Sequence, residues 1–72
     1  MTGKPLKTLR QHRQLAGMTI RDLASAAGVG TQTIVRIERG EPARIESYRK
    51  IAAALDIEIT DIREYVDMVM HE

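Results

Sequence analysis

The chain has 72 residues, no cysteine and only two aromatic residues, Tyr48 and Tyr65. It is expected to form one small domain, residues 1–72, with a core of Leu, Ile, Val, Ala and Met and no disulfide or thiolate metal site. No apolar run approaches the ~20 residues that span a bilayer, and the start, MTGKPLKTLRQ, lacks the apolar stretch of a secretory signal. A cytoplasmic domain with no membrane attachment is therefore expected, and the missing cysteines suit a reducing compartment.

Pro5 suits a first helical turn, so the first helix is expected from about Lys4 to Leu15 or Ala16. Its inward positions would be Leu6 and Leu9, then His12 or Arg13, then Ala16, a face that turns polar halfway along. His12 fits there with one ring nitrogen bonded to a carbonyl. A metal site would need more ligands than His12 and His71 offer, so neither metal nor cofactor is expected. Gly17, Gly28 and Gly40 each follow a helical pattern, as left-handed C-terminal caps do.

The second helix is expected over about Thr19 to Ala27, with Thr19 and Asp22 forming a capping box. Leu23 and Ala27 face inward, and Ala24 is small enough to let another helix cross closely. After the turn Gly28-Val29-Gly30, a third helix runs from about Thr31 to Arg39, capped by Gly30 or Thr31. It buries Ile34, Ile37 and the stem of Glu38. The fourth, about Ala43 to Leu55, carries its apolar stripe at Ile45, Tyr48, Ile51, Ala52 and Leu55. The fifth runs from Ile59 or Thr60 to Met70, with Ile59, Ile62, Val66, Val69 and Met70 apolar and Tyr65 and Met68 widening the stripe. The fold class is all-α, with five helices.

Residues 19–40 thus read as two short helices joined by a tight glycine-containing turn, the helix-turn-helix unit whose second helix can enter a DNA major groove. With Ile34 and Ile37 inward, the helical period turns Thr31, Gln32, Val35, Arg36 and Arg39 outward. Gln32 can pair with adenine and Arg36 with guanine, each by two hydrogen bonds, and Val35 can meet a thymine methyl. Phosphate contacts are expected at the starts of the second and third helices, through Thr19 and Thr33, and from Arg39 and Arg44. Lys4, Lys7 and Arg10 either extend that surface or form plain solvent face. Charge is uneven along the chain: residues 1–55 carry +6 and residues 56–72 carry −5.

The run Gly17-Met18-Thr19, Leu23-Ala24, Gly28-Val29, Thr33-Ile34, Arg36-Ile37-Glu38 and Gly40, continued by Lys50-Ile51-Ala52-Ala53-Ala54-Leu55, resembles the Cro and phage-repressor (XRE) helix-turn-helix family of prokaryotes and phages. The likeness covers about Leu9 to Ile62. It implies a five-helix lambda-repressor-like domain and a transcriptional repressor that binds a palindromic operator in double-stranded DNA as a homodimer. It places base reading on Thr31, Gln32, Val35 and Arg36, and an ion pair between the first and third helices on Arg13 and Glu38. The chain departs from the family's usual pattern at His12, Ile20, Gly30, Arg44 and Asp56. Of these, Ile20 removes a common phosphate contact, whereas Arg44 at a helix start opposes the dipole unless a phosphate sits there.

The homodimer interface is expected on Tyr65, Met68, Val69 and Met70, beyond what one core face uses. The alternative reading is an antitoxin-like interaction module that holds a protein partner through this last helix and the acidic stretch. An enzyme is not expected, because no paired carboxylates, Ser/His/Asp set or phosphate-binding glycine loop can be assembled from these residues.

Overall fold

A computed structural model describes residues 5–70, which form five α-helices and one 3-10 turn, with no strand among them. The helices are α1 (Leu9–Leu15), α2 (Ile20–Ala27), α3 (Thr31–Glu38), α4 (Ile45–Leu55) and α5 (Arg63–Met70), and the 3-10 turn, Ile59–Asp61, precedes α5.

Helices α1 to α4 all stop in the same way. An amide two or three residues past each helix bonds back five residues, and the amide before it bonds back three. The pairs are Met18 to Arg13 and Gly17 to Gln14, Val29 to Ala24 and Gly28 to Ser25, Glu41 to Arg36 and Gly40 to Ile37, and Ile57 to Ala52 and Asp56 to Ala53. This Schellman arrangement satisfies the last carbonyls and needs one left-handed residue. Gly17, Gly28 and Gly40 supply it as the sequence indicates, with φ of 71°, 71° and 84°. Asp56, with φ of 57°, does the same work in α4 despite its Cβ.

Three helix starts differ from the sequence reading. Residues 5–8 are not helical, and α1 opens at Leu9. Thr8 provides the reason: its Oγ1 accepts the Gln11 amide at 3.2 Å, while its own amide donates to Gln11 Oε1 at 2.8 Å. That box fixes the start, so Leu6 stays exposed, and Ala16 falls beyond the helix and is exposed too. Lys4 lies outside the described residues. In α4 the cap is Arg44, held extended, so Ala43 belongs to the loop and Ile45 is exposed rather than inward.

The fifth helix is broken. Glu58 and Asp61 cap the 3-10 turn, with the Glu58 amide donating to Asp61 Oδ2 at 2.9 Å. Ile62 is then extended (φ −93°, ψ 116°), which drops its side chain fully into the core before α5 begins.

The core comprises Leu9, Leu23, Ala24, Ala27, Ile34, Ile37, Tyr48, Ile51, Ala52 and Ile62, with no polar side chain buried among them. Ala24 is the small residue in α2, the helix that packs against both α3 and α4. Tyr65 of α5 meets buried Tyr48 edge-on, with ring centroids 5.4 Å apart, and Met68 packs beside it on the core. Burial, together with the nearby Glu64 carboxylate, pushes the Tyr48 phenol up to about 12.

Asp56→Gly is expected to stabilise the fold by roughly 0.5 kcal/mol. It removes a left-handed cost of ~1–2 kcal/mol and adds ~0.5–1 kcal/mol of chain entropy lost on folding. Gly28→Ala should destabilise by about 1–2 kcal/mol through φ alone, since an added Cβ there meets nothing within 4 Å. Urea unfolding midpoints measure both.

Candidate nucleic-acid interface

The candidate interface centres on α3, whose rotation is set by Ile34 and Ile37, both 0% exposed. Their burial leaves Thr31, Gln32, Arg36 and Arg39 exposed on the other side. Val35 is half-buried, less open than the helical period alone suggests, yet it is not part of the packing around the core. Thr33 is also half-buried.

A cleft of about 350 Å³ lies between α3 and the start of α4, lined by Thr33, Arg36, Pro42, Ala43, Arg44 and Ser47. It carries two guanidinium groups and two hydroxyls, and no carboxylate lines it. The amides at the start of α4 have no side-chain cap, and neither have those of α3, where Gly30 is the cap residue. Free helix amides beside arginines make a surface suited to anions. Arg36 therefore borders both the outward face of α3 and this cleft. Ser47 was not foreseen. The available signal was its place three residues beyond the uncapped, cationic start at Arg44.

The start of α2 is different. Thr19 Oγ1 accepts the Asp22 amide at 3.0 Å, and the Thr19 amide donates to Asp22 Oδ2 at 3.0 Å. This is the capping box read from the sequence. The hydrogen bonds from the Thr19 backbone and side chain hold the Asp22 carboxyl below its ordinary range. Its capping contribution is thus present above the usual carboxylate pKa and is lost as pH falls through the lowered value. An approaching phosphate would meet that carboxylate beside Thr19, which places the more favourable anion sites on α3 and α4. Ile20 turns partly inward and packs on the core.

Arg13 and Glu38 meet across α1 and α3. Arg13 Nε donates to Glu38 Oε2 at 2.7 Å and Nη2 to Oε1 at 3.1 Å, while Nη1 donates to the Met18 carbonyl at 3.0 Å. The two side chains are only 12% and 11% exposed. The Glu38 hydrogen bond raises the Arg13 pKa against the opposing effect of burial, so the guanidinium keeps its charge. His12, one residue earlier, bonds through Nε2 to the Asp61 carbonyl at 2.8 Å, so this nitrogen carries the proton. The polar half of α1's inner face thus has partners at two separate places, α3 and the 3-10 turn. His71 lies outside the described residues.

Of the residues expected at a dimer interface, Tyr65 and Met68 are half-buried against the protein's own core. Val69 and Met70 are 47% and 73% exposed.

Two short helices, a left-handed glycine turn and an exposed polar face on the second helix define a DNA-binding helix-turn-helix unit. A family model described as helix-turn-helix matches residues 9–62. The chain belongs to the Cro/C1-type (XRE) helix-turn-helix family, a DNA-binding regulatory family with this all-α fold. No curated protein matches it closely enough to add a named relative. Among the described residues no helix is long and apolar enough to cross a membrane.

Glu38→Ala is expected to cost about 2–3 kcal/mol of stability, somewhat below the ~3–5 kcal/mol of a fully buried broken pair. The loss should change little between low and high salt, because the pair is largely shielded. A cost under about 0.5 kcal/mol in urea unfolding would class it with exposed surface pairs.

Proposed function

We propose that the protein is a transcriptional repressor that binds a palindromic operator as a homodimer, with α3 lying in the major groove of cytoplasmic DNA. The observation that carries this reading is the division of α3. Its two isoleucines are completely buried, and Thr31, Gln32, Arg36 and Arg39 are exposed beside a cleft that holds two arginines. In this reading Thr31, Gln32, Val35 and Arg36 meet base edges. Gln32 on adenine and Arg36 on guanine would each supply ~1–3 kcal/mol of discrimination. Thr33, Arg39 and Arg44 hold phosphates, joined by Ser47 in the cleft, with Thr19 contributing its hydroxyl at the start of α2. Val69 and Met70 form the exposed part of the dimer contact, backed by Tyr65 and Met68. The two recognition helices then sit ~34–36 Å apart, one turn of DNA.

The same exposed pair, Val69 and Met70, lies in a stretch where residues 56–72 carry −5. That combination favours a second reading, in which this helix holds a basic protein partner in the manner of an antitoxin. The two readings are compatible on one chain.

Selection of binding sites from randomised duplex DNA tests the first reading. An inverted repeat with half-sites about one helical turn apart is the expected product, and a pool with no enriched sequence contradicts it. On the selected duplex, Arg36→Ala should relax preference at one base pair. Arg39→Ala and Arg44→Ala should weaken binding to all sequences alike, each lowering the salt slope by about 1.

A further inference from the structure

Helix α5 and the 3-10 turn before it are tied to α1 and to Lys7, just ahead of it, by polar bonds that local sequence does not announce. The Leu9 amide donates to Glu64 Oε1 at 2.8 Å, the Arg63 amide donates to the Lys7 carbonyl at 3.0 Å, and His12 Nε2 donates to the Asp61 carbonyl at 2.8 Å. All three fall on α1 or the residues just before it. The helix they anchor has only seven residues, well short of the ~12–15 at which an isolated helix becomes even marginal in water. Its remaining supports are Leu9 in the core, the Thr8–Gln11 box and Arg13, which grips Glu38 at the end of α3. Glu64 thus supplies a side-chain acceptor to the first amide of a marginal helix, one of the amides that have no partner within the helix itself.

We propose that Glu64 is a positioning residue for DNA binding: by capping α1 from α5, it holds Arg13 in place on Glu38 and so fixes the recognition helix. The inference rests on the DNA-binding reading above. It gives α5 a part in binding that is separate from any interface it forms. Whatever moves α5 off the N-terminal segment slackens α3 through α1.

Generic electrostatics predicts the opposite sign, which makes the inference separable. Glu64 is a negative charge on a DNA-binding protein, so removing it should tighten binding if charge alone matters. The test uses the full chain and the duplex selected for the wild type, with affinities measured at low temperature where circular dichroism shows each variant folded. Glu64→Ala is expected to weaken binding by about two- to fivefold, the upper limit being what one lost helix cap of ~1 kcal/mol allows. Base preference should be unchanged. Glu64→Gln, whose Oε1 can still accept the Leu9 amide, should hold within about 1.5-fold of wild type on the same scale. In the background of Glu38→Ala, which already frees Arg13, Glu64→Ala should add no further loss.

A merely structural role would lower the thermal midpoint and leave these affinities alone. If Glu64→Ala does not fold, Glu64→Asp, one methylene short, takes its place with the same expectation. Binding by Glu64→Ala as tight as or tighter than wild type overturns the inference, as do losses from Glu64→Ala and Glu38→Ala that simply multiply. Failure of the wild type to bind any duplex overturns the DNA-binding reading itself and this inference with it.

Discussion

Ile34 and Ile37 lie nearly one turn apart on a helix of only eight residues, and both are sealed in the core. Each contributes roughly 1.5–3 kcal/mol by leaving water. Rolling α3 by about one residue's rotation would expose them and drive Arg36 toward an interior that, among the described residues, holds no charged side chain. Burying an unpaired guanidinium costs more than any groove contact returns. The rotational setting of α3 is therefore decided inside the molecule, before DNA is met. The outward set of Thr31, Gln32, Arg36 and Arg39 follows from it.

Rotation is one freedom of a short rod, and its tilt and position are others. The partly buried Arg13–Glu38 pair addresses these at the end of α3, while the Schellman turn at Gly28 fixes its beginning. Arg13 also bonds the Met18 carbonyl, so one guanidinium joins α1, the turn before α2 and α3. This explains the polar half of α1. In a chain with only two aromatic residues, directional charged bonds help to position a helix that aliphatic packing leaves free to shift. The pair is not an efficient source of stability in itself. Its value is geometric.

Much of this was legible because the governing rules are local. Three glycine caps, the Thr19–Asp22 box and the period of Ile34 and Ile37 each need only a few neighbouring residues to be read. The Arg13–Glu38 contact, by contrast, spans 25 positions and came from family resemblance rather than from spacing. The starts of α1 and α4 misled because Pro5 and Ala43 are compatible with a helix but do not compel one, whereas Thr8 and Arg44 act as the caps. The break at Ile62 was invisible to periodicity, since an inward isoleucine suits a continuous helix as well as an extended residue. Glu64 on the Leu9 amide spans 55 positions and leaves no local trace. Tyr65 and Met68 looked surplus only while the size of the core beneath them was unknown.

Uneven charge along the chain now has a spatial reading. Arg36 and Arg44 share one cleft, while the acidic residues Glu58, Asp61, Glu64 and Asp67 cap or pair within the C-terminal part or with the start of α1. The account stands on the outward side of α3 being the surface that DNA touches. Titration of the isotopically labelled protein with its selected duplex, followed by amide chemical shifts, tests that most directly. The account predicts that the largest changes fall on residues 31–39 and 44–47, with smaller ones at the start of α2. Changes concentrated on the far side of α4 or in α5, with residues 31–39 unmoved, would contradict it.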